Sequence, residues 1–232
     1  MKKIILFLTI ITTFFHSNFL SGHVNHYNDL KYLEYEIYLN DELIGTHTFN
    51  FKKNKNILSV STEGKFKVKK FGIEIMNYRT KTTEIYDNGQ LNEYISETFQ
   101  NDKRKHVNLT YNKKNKSFEI DGSSFKGQAD KNNIIGSWWN HAIIDKNSQI
   151  SAVSGRIMPQ KVKFLGKKEV ILFNKKYKAL KFHFLSNDNK PLKKKKINFN
   201  VWYDVKTLLW LKMSYEKLGQ WEYRLKNFAF YR

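Results

Sequence analysis

A two-residue hydrophobic period recurring along almost the whole chain restricts what it can fold into more than any other feature. Tyr35, Ile37 and Leu39 are interleaved with Glu34, Glu36 and Tyr38, and His47, Phe49 and Phe51 with Thr46, Thr48 and Asn50. Val107, Leu109 and Tyr111 alternate with His106, Asn108 and Thr110. The pattern returns at Phe66 and Val68, at Leu180, Phe182 and Phe184, at Ile197, Phe199, Val201 and Tyr203, and at Trp221, Tyr223 and Leu225. Successive side chains of a strand point to opposite faces, so each run makes a strand with one apolar and one wet face.

Turn residues fall between these runs: Asn40-Asp41, Asn54-Lys55, Asp87-Asn88-Gly89, Asn112 to Asn115 and Asn187-Asp188-Asn189. Asn-Gly is a strong hairpin signal because both central residues must accept positive φ. The spacing predicts an all-β fold, a single antiparallel meander of roughly eleven to thirteen strands curled into a barrel or half-barrel. Residues 125–153 break the alternation. Within them, 134–145 reads as a loop entering a short helix that Ser137 could cap, its apolar residues covering one end of the sheet.

The N-terminus follows a different logic. Lys2 and Lys3 precede an apolar run from Ile4 to Phe15, with small residues at Ser17, Ser21 and Gly22. This is the pattern of a cleavable secretory signal, too short for a membrane span. The expected organisation is a signal peptide at 1–22 and one β-domain at 23–232, with the mature protein in the periplasm. No later segment is apolar enough to cross a bilayer as a helix. The chain contains no Cys, which removes disulfides, thiolate nucleophiles and sulfur-ligated metals together, so the core alone must hold the fold.

The formal charge of +20 has two readings. It suits an anionic partner such as phosphate, lipid headgroup or acidic glycan. It also follows from AT-rich codons, which raise Lys, Asn, Ile, Phe and Tyr together. The densest basic cluster, Lys190, Lys193, Lys194, Lys195 and Lys196, is a candidate anionic-surface site, although lysines at a sheet edge also block unwanted strand pairing.

Side chains that could carry chemistry are few. Trp138, Trp139, Asn140 and His141 could line a pocket for an apolar or ring-shaped ligand, or plug the end of a barrel. Phe49, Phe51, Phe182 and Phe199 are candidate lining residues of a concave apolar face. Glu84, Asp87, Glu93 and Glu97 cluster around one hairpin, where solvated surface carboxylates are the expectation. An N-terminal His23 exposed by cleavage could join His47 or His183 around copper, but no dense ligand spacing exists and no metal or cofactor is assigned. There is no G-x-S-x-G, phosphate-binding loop or dinucleotide fingerprint, so no catalytic residue is assigned and an enzyme is disfavoured. Export disfavours a nucleic-acid partner.

Four segments carry a resemblance: Tyr35 to His47 (YEIYLNDELIGTH), Glu84 to Leu91 (EIYDNGQL), Ser137 to Asn140 (SWWN) and Val201 to Asp204 (VWYD). On them the chain resembles an uncharacterised family of exported proteobacterial proteins, a domain of unknown function with a curved antiparallel sheet. That family supplies no activity or site to carry over. More distantly the chain is similar to periplasmic lipoprotein-carrier half-barrels, which implies an open sheet that holds acyl chains. The expectation is a non-enzymatic periplasmic binder or carrier of an apolar or amphiphilic ligand. The alternatives are an envelope structural or interaction protein with a filled core and a basic docking face, and a His/carboxylate enzyme.

Overall fold

The computed structural model describes residues 26–231; the signal segment and His23 lie outside the described residues. Fifteen strands form one curved sheet: β1 Leu30–Leu39, β2 Glu42–Asn54, β3 Ile57–Lys70, β4 Ile73–Asp87, β5 Gln90–Gln100, β6 Lys103–Asn112, β7 Ser117–Gly122, β8 Phe125–Asp130, β9 Ile134–Ile135, β10 Ser148–Ile150, β11 Ile157–Leu172, β12 Lys175–Ser186, β13 Asn198–Asp204, β14 Trp210–Glu216 and β15 Gln220–Phe230. The count exceeds the expected eleven to thirteen through β9 and β10, two and three residues long and too short to show a period.

The strand order is β8-β7-β6-β5-β4-β3-β2-β1-β15-β14-β13-β12-β11-β10-β9. The chain meanders outward from β1 to β8, then returns from β9 to β15, which pairs antiparallel with β1. The two free edges, β8 and β9, are neighbours in sequence. The sheet therefore curls almost into a barrel without a β8–β9 ladder. Pairing is antiparallel except between β9 and β10. The Asp87-Asn88-Gly89 turn forms as its sequence predicts, with positive φ at Asn88 (49°) and Gly89 (81°).

The inward phase of the alternation is the core. Leu33, Tyr35 and Ile37 of β1, Phe49 and Phe51 of β2, Val107 and Leu109 of β6, and Val201 and Tyr203 of β13 are all buried. The break in the pattern is an irregular segment threaded across the inside. Its short helical piece is a 3₁₀ turn at His141–Asp145, capped by the Asn140 side chain accepting from the Ala142 amide, so Asn140 takes the capping role expected of Ser137. Buried irregular backbone needs partners, and strand side chains supply them. Tyr203 donates to the Trp138 carbonyl (2.9 Å), and Tyr94 and Ser96 both donate to the Ala152 carbonyl (2.9 and 2.7 Å). Gln160 donates to the carbonyls of Ile143 and Lys146.

Candidate functional site

Trp139 is fully buried and acts as the plug. Its ring meets Tyr27, Phe51 and Tyr86 edge-on, with centroids 5.2 to 5.7 Å apart. Its indole N–H donates to Glu84 (3.0 Å), whose other oxygen accepts from the Tyr86 hydroxyl (2.5 Å). Glu84 is 1% exposed, so the expectation of a solvated hairpin carboxylate fails there. Burial pushes its carboxyl above the ordinary range, against hydrogen bonds from Tyr86 and Trp139 that favour the charged form. The sequence signal was its phase: Thr80, Thr82, Glu84 and Tyr86 share one face of β4. Of the other hairpin acids, Glu97 pairs with Arg104 and Asp87 with Lys113 at the surface, and Glu93 is half-buried.

Beside this packed region lies a cavity of about 140 Å³. Its wall comes from both arms of the meander: His47 and Phe49 of β2, Thr62, Gly64 and Phe66 of β3, Tyr78, Thr80 and Thr82 of β4, and Trp210 and Tyr223 of β14 and β15. Gly136, Ser137 and Trp138 of the inner segment complete it, with Ala152 and Val153. Gly64 stands opposite His47 in the β2–β3 ladder, and its missing side chain leaves room for the imidazole: a Cβ there would sit 3.2 Å from His47 Cδ2.

The polar atoms of this wall are unusual. His47 Nε2, Thr62 Oγ1, Trp138 Nε1 and Trp210 Nε1 are all buried and have no hydrogen-bond partner in the protein. Leaving such an atom unpaired costs about 1–3 kcal/mol. His47 stacks against Phe49 (4.5 Å) and meets Tyr223 edge-on (6.1 Å), and burial pushes its imidazole down to about 4, so it is neutral near pH 7. The wall carries no Asp, Glu, Lys or Arg. The residues around it bring two indoles, a hydroxyl and a neutral imidazole together among aromatic faces, with no charged group. A neutral group with hydrogen-bonding atoms suits it, and a buried charge does not.

The residues singled out from sequence separate into distinct places. Trp138 and Phe49 line the cavity, and Trp138 packs edge-on against Phe199 (5.1 Å) and Trp210 (5.7 Å). Trp139 and Phe51 pack in the plug. Asn140 caps the 3₁₀ turn, and buried His141 bonds the Tyr27 hydroxyl through Nδ1 (2.8 Å). Phe182 packs against Phe164 and Tyr203, and Phe199 stacks on Phe184; neither belongs to the cavity wall. Lys190, Lys194 and Lys196 are exposed. Lys195 is half-buried, held by the carbonyls of Ser186 and Asp188 and by the Asp188 carboxylate. The Lys193 side chain lies outside what is described. Sequence reasoning missed His47, Thr62 and Trp210 as cavity residues.

Residues 35–226 match the DUF6134 family, a domain of unknown function. No curated protein matches the chain. Among solved structures, the chain is similar to a β-barrel-like protein of the DUF1849 domain of unknown function from Brucella abortus, with TM-score 0.58 and 9% identity over 88% of this chain and 98% of that one. That likeness shows the shared barrel-like fold. A protein from Bacteroides fragilis, named as exported and as having a YmcC-like fold, aligns over 85% of this chain and 94% of its own, with TM-score 0.37 and 10% identity.

Proposed function

Because the chain belongs to the DUF6134 family, whose function is unknown, its own interior is the guide, and we propose that it is a non-enzymatic binding protein that takes a neutral, ring-sized or short acyl group of an amphiphile into the cavity between β2–β4 and β14–β15. One observation carries this reading: His47, Thr62, Trp138 and Trp210, each with a buried polar atom that has no partner in the protein, all line one void. A void of about 140 Å³ is close to the volume that admits a benzene-sized ring. A whole lipid would exceed it, so the rest of the ligand stays outside. The work belongs outside the cytoplasm, in the periplasm, if the N-terminal segment acts as the leader its basic and apolar regions suggest.

The cavity contains its own reporters, because Trp138 and Trp210 form part of the wall. Purified protein is extracted for mass spectrometry, then titrated with monooctanoylglycerol and with cyclohexanol while indole fluorescence is followed. Saturable quenching or a spectral shift is expected, and Val153→Phe, which fills the void from the inner segment, abolishes it with the circular dichroism unchanged. An extract without amphiphile, together with no fluorescence response to either probe, would sink the reading.

A further inference from the structure

We infer that the end of the barrel carrying the β3–β4 and β14–β15 turns docks on an anionic lipid bilayer, with Phe71 and Leu218 inserted. The inference stands apart from the cavity reading and rests on a different set of residues.

Antiparallel meandering puts the β1–β2, β3–β4, β12–β13 and β14–β15 connections at one end of the sheet. The two most exposed large apolar side chains among the described residues are both there: Phe71 at 93% and Leu218 at 92%. Ile73 (69%), Leu192 (57%), Leu43 (52%) and Ile75 (51%) share that end. Exposed apolar residues scattered singly need no explanation, and the opposite end has its own in Ile171 (61%), Phe230 (43%), Ile57 (39%) and Phe173 (38%), but the two that are almost wholly exposed, Phe71 and Leu218, both stand on this rim.

Neither packing nor turn chemistry accounts for them. Phe71 has φ of 51° and Leu218 of 56°, left-handed conformations in which Asn or Gly is at ease and a bulky residue is disfavoured. The β3–β4 hairpin also projects. Pairing of β3 with β2 stops at Phe66, and pairing of β4 with β5 stops at Tyr78. The four residue pairs beyond, from Lys67↔Asn77 to Lys70↔Ile73, have no strand neighbours outside the hairpin. Lys67↔Asn77 and Val68↔Met76 still pack at the base, where Asn77 bonds Asn101 of the β5–β6 turn, so at about 3.3 Å per residue the last two pairs put the tip roughly 7 Å clear. Its base is firm: Val68 is buried with Trp221 and Ile37, and Phe66 meets the Trp221 ring (5.3 Å), which sits three residues after Leu218. The two tips are thus held close together.

The charges around them are complementary to an anionic surface. Lys65, Lys67, Lys69 and Lys70 precede Phe71 with Glu74 as the sole acid of the tip, paired to Lys67. Lys217 precedes Leu218, and exposed Lys190, Lys194 and Lys196 lie in the β12–β13 connection at the same end. Exposed acids are fewer there: Glu42, Asp102 and Glu216, with Asp41 taken up by Arg224 and Asp188 by Lys195. Apolar side chains that enter the acyl boundary, ringed by lysines at headgroup level, make an interfacial anchor.

The chain lacks Cys, so Phe71→Cys gives a unique attachment point for an environment-sensitive nitrobenzoxadiazole label; Lys114→Cys, in the β6–β7 turn at the opposite end, is the control. Vesicles of phosphatidylethanolamine and phosphatidylglycerol are added, with phosphatidylcholine vesicles for comparison. The label at position 71 is expected to shift to the blue with the anionic vesicles alone, and the label at 114 to stay unchanged. In flotation assays of the unlabelled protein, Phe71→Ser with Leu218→Ser lowers binding by about tenfold or more. Lys69→Gln with Lys70→Gln lowers it several-fold, and added salt weakens what remains. Both pairs are exposed, so folding is preserved and circular dichroism verifies it. The inference is overturned by an absence of vesicle binding, by binding that ignores the Phe71 and Leu218 changes, or by a concentration-dependent blue shift without vesicles, which would make a second copy of the chain the occupant.

Discussion

Acid should destabilise this protein through one imidazole. In the folded state His47 is pressed against Phe49, faces Gly64 across the ladder and has an unpartnered Nε2, and burial holds it at about 4 instead of the ordinary 6.5. The unfolded chain takes up the proton first as pH falls. Between 6.5 and about 4 the unfolded state binds more protons than the folded one, so stability drops as pH falls through that window and levels off below it. At about 1.4 kcal/mol per pH unit, the gap is worth about 3 kcal/mol. That is an upper figure, because some water entering the cavity beside the ring would solvate the charge.

Urea unfolding at pH 7.5, 6.5, 5.5 and 4.5 measures this directly. With a slope of about 2 kcal/mol per molar urea, the midpoint should fall by roughly 1 M or more across the range. Carboxylates held below their ordinary values, such as Glu36 through Tyr38 and Lys226, weaken the fold in the same direction. Comparison with His47→Gln and His47→Phe removes that background, since neither replacement titrates. The wild-type curve should converge on or cross those of the variants in acid. If wild type and variants keep a constant separation from pH 7.5 to 4.5, the imidazole is reached by water or a partner throughout, and the argument from its burial is wrong.

Glu84 should act in the opposite sense. Its folded value is raised, so the stability linked to its neutral form is present below the ordinary carboxylate value and is lost as pH rises through the folded one; Glu84→Gln should flatten the wild-type profile above pH 5 in the same urea series. Gly45→Ala should prevent normal assembly of the β2–β3 ladder, because the new Cβ would lie 2.1 Å from the Lys65 carbonyl oxygen and 2.5 Å from Phe66 Cβ; a loss of at least about 3 kcal/mol is expected in thermal unfolding.

The parts of this architecture that repeat were legible, and the parts that occur once were not. Phe49 and Phe51, or Val201 and Tyr203, announce an inward face because neighbours two apart agree on it. Ile134–Ile135 and Ser148–Ile150 offer too few residues for any period to register. Glu84 shares its inward phase with Tyr86, but its charge argues for solvent, and of the two hydrogen bonds that hold it inside, one comes from Tyr86 and the other from Trp139, fifty-five residues away. The Trp138-Trp139 pair admits both a plug and a pocket, and adjacent residues do one each: Trp139 seals against Glu84 while Trp138 faces the void. His47, Thr62 and Trp210 gave no local sign. Each fits its own strand as an ordinary residue, and only the curl that brings β2 and β3 toward β14 turns them into one wall.

That wall is harder to explain as a filled core than as a site. Four unpaired buried atoms at about 1–3 kcal/mol each amount to a sizeable part of the roughly 5–15 kcal/mol by which a domain is stable. An interior built only for packing has simple remedies, since Val matches Thr62 in shape without its hydroxyl, and Phe covers much of what Trp210 covers without its N–H. Thr62→Val therefore separates the two purposes. In the ligand-free protein it removes the unpaired hydroxyl of a residue that is 4% exposed and should stabilise by about 1 kcal/mol, seen as a higher urea midpoint. In the presence of monooctanoylglycerol it should bind several-fold more weakly, because the hydroxyl is then a partner lost to the ligand. A gain in stability with unchanged affinity would mean that the ligand never meets Thr62. A loss of stability would mean that the hydroxyl is already satisfied in the free protein, and the polar atoms around this void would cease to indicate a ligand.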